Sequence, residues 1–233
     1  MHLTKSFFAA ISLTMVAFAQ EGVPGAAPDS ASVDVPFQVR YASNLQVGDS
    51  VINITNTGWN GANLFGPGFG GASGNICVNV YAFTPDEQLV SCCSCLVTPN
   101  GLVSLSAKTD LASRTLTPIV PNHLVIKLYA TVAGTGGSAT SCTNSAASLT
   151  GVPARGLLAW GTTIHSSAVV PVGSTPQAGP YSITETPFAP ASLSVAERAS
   201  IVNRCTNILG NGSTYGVCSS CRNYGLGAVG SAK

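Results

Sequence analysis

Apolar and polar positions alternate along this chain in short runs, and a period of two predicts strands. Residues 35–41 and 51–55 read this way; Ile52 and Ile54 face one side, Asn53 and Thr55 the other. Val47-Gly48-Asp49-Ser50 is a turn between them. Residues 76–83 and 88–95 flank Thr84-Pro85-Asp86-Glu87 and form the clearest hairpin. Pro99-Asn100-Gly101 makes a second turn before a strand at 102–106. Residues 124–132, 155–164, 165–172 and 181–188 supply further strands. Turn signals at these intervals predict an all-β fold, an immunoglobulin-like β-sandwich, rather than alternating β and α units.

One segment near the end changes period. Residues 194–209 predict a single C-terminal helix, with Ser194 as N-cap and Glu197 three residues on as a capping box. Val195, Ala199, Val202 and Leu209 fall near one face with Cys205 at its edge, and Gly210 stops the helix. A cysteine-bearing, disulfide-tied tail is expected to follow.

The start reads as an export signal. Residues 7–18 form an apolar run too short to span a membrane, and Ala17-Phe18-Ala19 offers small residues around a cleavage point. Residues 1–19 are therefore expected to be a signal peptide, 20–34 a flexible arm rich in Gly, Ala, Pro and Ser, and 35–233 a single sandwich domain. No later stretch is long and apolar enough for a membrane helix, so a secreted or cell-surface protein is expected.

Charge then narrows the partners. Charged residues make up 8% of the chain, with a formal net charge of +1, against about 25% charged in an ordinary soluble domain. No basic patch exists to grip phosphates, which disfavours nucleic acid. So little charge also removes the repulsion that keeps copies apart, which permits a homo-oligomer or surface polymer. In that reading, residues 31–37 are the donor strand for a neighbour's sheet edge.

The cysteines carry the strongest chemical signal. Eight are present: Cys77, Cys92, Cys93, Cys95, Cys142, Cys205, Cys218 and Cys221. An even count behind an export signal predicts disulfides throughout, with no metal and no cofactor. Centring the hairpin on Pro85-Asp86 brings Cys77 within a small register shift of Cys93 or Cys95, which share a face; Cys92 points the other way. A local bridge from Cys205 to a tail cysteine is also expected. The alternative is a metal or redox use of the two C-x-x-C pairs, Cys92-x-x-Cys95 and Cys218-x-x-Cys221.

Other chemistry is sparse. His123 and His165 each lie beside or within a β run, where packing or surface roles are the ordinary reading. Neither a nucleophile elbow, nor a His-Glu-x-x-His helix, nor a P-loop is present. Asn53-Ile54-Thr55 and Asn211-Gly212-Ser213 match the N-glycosylation pattern. The long glycine-rich loop 58–75 carries Trp59, Phe65 and Phe69, which are candidates either for a contact surface or for a lid folded onto the core.

As a set, the segments Asn75-Ile76-Cys77-Val78-Asn79-Val80-Tyr81, Cys92-Cys93-Ser94-Cys95, Thr98-Pro99-Asn100-Gly101 and the tail Cys205, Asn211-Gly212-Ser213, Cys218-x-x-Cys221-Arg222 resemble cysteine-containing exported proteins of environmental bacteria. Val47-Gly48-Asp49-Ser50-Val51 leading into Asn56-Thr57-Gly58 resembles the strand edges of secreted immunoglobulin-like domains. These resemblances imply export, one folded unit and a sandwich, and no activity. The expected function is a non-catalytic extracellular structural, adhesive or binding protein; the alternative is an exported enzyme or a redox protein with a C-x-x-C site.

Overall fold

The structure is a computed structural model that describes residues 35–65, 73–117, 119–134, 142–148, 150–166, 181–218 and 221. The expected signal peptide and arm lie outside the described residues, as does Phe69. All described residues fall within one compact unit, Asp34–Lys233.

Two antiparallel sheets make up most of the fold. The strands are β1 Phe37–Ala42, β2 Val51–Asn56, β3 Ile76–Phe83, β4 Leu89–Val97, β5 Leu102–Ser106, β6 Leu124–Val132, β7 Leu157–Ser166, β8 Tyr181–Pro187 and β9 Ala189–Pro190. One sheet runs β4-β3-β6-β1-β9 and the other β5-β2-β7-β8. The predicted hairpin is β3–β4, in register from Ile76 opposite Val97, with an irregularity beside Phe83. The strand boundary expected between 164 and 165 is absent: β7 pairs with β8 through Ile164 and His165 without a break. No turn residue separates those positions, so nothing interrupts the ladder. Residues 167–172 of the expected second strand lie outside the described residues, as do residues 31–34 of the expected donor strand. Phe37, at the end of that donor, pairs with Tyr129 in its own sheet.

The inner faces of the two sheets share one apolar core, in which Ile52 and Ile54 of β2 lie with Val78 and Val80 of β3 and Leu124, Ile126 and Leu128 of β6. The outer faces differ. Along β2, half-buried and buried residues alternate, as in a strand with one covered face. In the other sheet every residue of β3 is buried. Its outer face is covered by the helix α1, Val195–Gly210, and by a 3-10 turn at Asn144–Ser148. Polar residues on that face are consequently enclosed: Asn79, Ser94 and Thr131 are all buried.

Helix α1 starts as its sequence requires, with the Ser194 hydroxyl accepting from the Glu197 backbone N–H at 3.1 Å. The Glu197 carboxylate turns to Lys127 Nζ, 2.7 Å away, rather than back to Ser194 as a capping box would have it. The buried stripe is Ile201, Cys205 and Ile208, not the face through Val195 and Ala199 that periodicity suggested. Val195 is 87% exposed. Cys205, in the middle of that stripe, is bonded to Cys92 of β4. Gly210 is the last helical residue, and the left-handed position comes two residues later, at Gly212 with φ +71°.

Candidate functional site

Two places combine unusual chemistry with positions that the sequence singles out. The first is the set of disulfides. Cys77 bonds Cys142, Cys92 bonds Cys205, Cys93 bonds Cys218 and Cys95 bonds Cys221. Two sequence expectations are corrected here. Cys77 does not reach Cys93 or Cys95, because register puts Leu96 across from it, Val80 across from Cys93 and Val78 across from Cys95. Cys205 makes no local bridge, because α1 crosses the outer face of the sheet and meets Cys92, which points out. Adjacent residues on a strand face opposite sides. Cys92 therefore ties the helix, while Cys93 and Cys95 face the inner core and tie the tail.

Backbone pairing also places the tail. The Cys92 N–H donates to Gly216 O at 2.9 Å, and Val217 bridges Cys92 in parallel. This contact covers part of the outer edge of β4, one of the edges that a sandwich has to manage. The two C-x-x-C pairs do not act as units: Cys218 and Cys221 each bond β4 rather than each other. The sulfurs of Cys93, Cys95 and Cys221 nevertheless lie within 4.8 Å of one another. Four disulfides suit an oxidising compartment.

The second place is the glycine-rich loop after β2. Its base is organised by Asn56, a fully buried residue. The Asn56 amide donates to Gly74 O at 2.8 Å and Val97 O at 3.0 Å, and its oxygen accepts from the Gly58 N–H at 2.9 Å. Gly74 sits at φ +76°, and a Cβ there would overlap Gly61 O. The loop therefore closes on itself where only glycine fits.

Above this base the loop presents apolar side chains to solvent. Trp59 is 61%, Leu64 88% and Phe65 73% exposed. The Arg155 guanidinium stands 5.2 Å over the Trp59 ring, and Asn60 donates to Arg155 O at 2.9 Å. Trp59 and Phe65 are thus placed at the surface rather than as a lid. The strand pattern did not single out Leu64, Arg155 or the role of Asn56. The absence of Asp, Glu, Lys and Arg between Asp49 and Asp86 is the signal that could have found the loop's apolar surface.

The remaining sequence candidates are separate from both places. His123 stacks on Tyr41 with ring centres 5.9 Å apart, and His165 Nε2 is 2.9 Å from Thr184 Oγ1. Of the two glycosylation-pattern asparagines, Asn53 is half-buried within β2 and donates to Glu185 at 2.9 Å, whereas Asn211 is exposed just after α1. The Asp49 carboxylate is engaged by the Ser50 and Lys108 backbone N–H groups at 2.8 and 2.9 Å and by the Ser106 hydroxyl. It anchors the start of the π-helical turn Ala107–Leu111.

Among the described residues, no helix is long and apolar enough to cross a membrane. Comparison with protein-family models, with curated proteins and with solved structures gave no match.

Proposed function

We propose that this chain is a non-catalytic secreted or cell-surface subunit that works by contact, and that the loop bearing Trp59, Leu64 and Phe65 is its contact surface. The observation that carries the reading is the exposure of these three large apolar side chains on a loop with a fixed base. Exposed apolar surface of this kind marks interaction sites. The partner that fits is a second copy of the chain. Apart from Arg155 against the Trp59 ring, the loop carries no charged residue, and the chain as a whole has few charges to repel a copy. β8 supports assembly too: among the described residues it ends its sheet, and every residue from Ser182 to Pro187 is exposed.

The sandwich reads as immunoglobulin-like with its outermost strands exchanged. β3 lies between β4 and β6, and β2 pairs with β5, as the central strands of a variable-type domain do. β1 takes the place beside β6 that the last strand holds there, and β7 takes the place of the first strand beside β2. The pairing of Cys218 and Cys221 with β4 weighs against the alternative of a C-x-x-C redox protein.

Sedimentation of the full chain and of Trp59→Ser/Phe65→Ser tests the contact reading. The expected result is association that weakens in the double variant with its circular dichroism unchanged. A chain that stays monomeric at high concentration, or association indifferent to the substitutions, would overturn it.

A further inference from the structure

Among the described residues, the sulfurs at the tail are where metal-ligating groups converge. Strand alternation puts Cys93 and Cys95 on one face of β4. The tail brings Cys218 and Cys221 to that face, and it is held there by the Cys92–Gly216 backbone bond as well as by sulfur. Cys93, Cys95 and Cys221 have sulfurs mutually within 4.8 Å, and Cys218 Sγ is bonded to Cys93 Sγ.

We propose that Cys93, Cys95, Cys218 and Cys221 form a four-thiolate site for one zinc-class ion in the reduced chain, and that oxidation to the two cystines expels the ion. A tetrahedral site with zinc–sulfur bonds of about 2.3 Å sets its sulfurs about 3.8 Å apart. Reaching that arrangement means opening the two S–S bonds so that each bonded pair moves apart, drawing together the sulfurs of Cys93, Cys95 and Cys221, which already lie within 4.8 Å of one another, and swinging Cys218 Sγ, which lies outside that group, in from the tail. The ligand spacing is C-x-C on the strand and C-x-x-C on the tail. It differs from the paired C-x-x-C motifs that the sequence offers because Cys92 faces away to α1.

The surroundings suit a structural ion. Cys93 and Cys95 are fully buried and Cys218 nearly so, which excludes a water ligand and favours a closed site. The Ser91 hydroxyl oxygen lies 3.6 Å from Cys218 Sγ, in position to donate to a thiolate there. Cys221 is half-buried, the least buried of the four residues.

The chemistry balances. Two cystines take up four electrons and four protons from two equivalents of a dithiol to give four thiols. Binding of the divalent ion releases those four protons to solvent. The reverse step needs a disulfide or quinone-class oxidant, which takes four electrons from the four thiolates and frees the ion.

The test uses the full chain made in a reducing cytoplasm with zinc supplied and purified without oxidant. Elemental analysis should find about one zinc per chain, and alkylation followed by peptide mapping should find these four cysteines protected. Cys221→Ser should lose the zinc and Cys142→Ser should keep it. Adding a disulfide oxidant to the unsubstituted chain should release the zinc as the two cystines form. Cobalt substitution of the unsubstituted chain guards against a variant that fails to fold, since the thiolate charge-transfer band scales with the number of sulfur ligands. A chain without zinc, zinc retained in Cys221→Ser, or a cobalt spectrum lacking thiolate bands would overturn the proposal.

Discussion

Gly161 of β7 leaves the space that Arg40 of β1 occupies: a Cβ added at Gly161 would collide with Arg40 Nε. Arg40 thereby crosses from one sheet to the other. Its guanidinium donates to Thr186 O at 2.7 Å, to the Thr186 hydroxyl and to Thr163 Oγ1 at 2.9 Å, and it stands 6.0 Å from the Phe188 ring centre. Burial lowers its pKa from the ordinary value, while Glu185 opposes that shift. Gly161→Ala should displace Arg40 and cost about 1–3 kcal/mol by overpacking. Urea denaturation of the variant would measure it. An unchanged midpoint would mean that Arg40 does not hold the sheets together at this end.

The disulfide between Cys92 and Cys205 fixes α1, so its removal should act on the helix first. In Cys92→Ala/Cys205→Ala, stability should fall by about 2–4 kcal/mol. Hydrogen exchange should rise across α1 before it rises in β3. Equal protection in α1 with and without the bond would show that Ile201 and Ile208 suffice to dock it. Intact mass of the unsubstituted oxidised chain should lie eight hydrogens below its fully reduced mass, as four bridges require.

Much of the β framework was legible because turns are local. Thr84-Pro85-Asp86-Glu87 and Pro99-Asn100-Gly101 announce their strands by residue type alone. The cystine map was not legible, because it depends on which face of β4 a distant element covers. Cys92 and Cys93 are neighbours in sequence, yet one bonds α1 and the other the tail. The same cause misplaced the helix face: weak amphipathicity left the rotation of α1 open, and the face that turns inward is the one that carries Cys205, bonded to β4. The loop was half legible. Its aromatics stood out, but the role of Asn56 depends on carbonyls 18 and 41 residues away.

Asn56 supplies the next prediction. Its amide faces two carbonyls, Gly74 O and Val97 O. Asn56→Asp would set a carboxylate against both in a buried site and should cost about 3 kcal/mol or more. Asn56→Ala should cost less, about 1–3 kcal/mol, by leaving those carbonyls unpaired. Thermal unfolding would rank the two variants. Trp59 fluorescence would report whether the loop loosens, and an Asp variant no less stable than the Ala variant would contradict this account of the loop base.

Alkaline pH offers a test of the packing beneath α1. Tyr81 is buried and donates from its hydroxyl to Ala147 O at 2.7 Å. Burial raises its pKa well above the ordinary tyrosine value, opposed by Arg198 and reinforced by Tyr129. Tyr129 is shifted the same way, again mainly by burial. A raised folded pKa means that the unfolded chain releases the proton at lower pH. The stability linked to these hydroxyls is therefore complete below about pH 10 and is lost as pH rises beyond it. The slope should approach about 1.4 kcal/mol per pH unit for Tyr81 alone. Tyr81→Phe removes that titration while leaving Ala147 O unpaired, at a cost of about 1–3 kcal/mol near neutrality. Denaturant midpoints measured from about pH 8 to about pH 11.5 should fall more steeply for the unsubstituted chain than for Tyr81→Phe. Parallel curves would show that Tyr81 reaches solvent before the fold opens, and that α1 lifts from the sheet independently of the core.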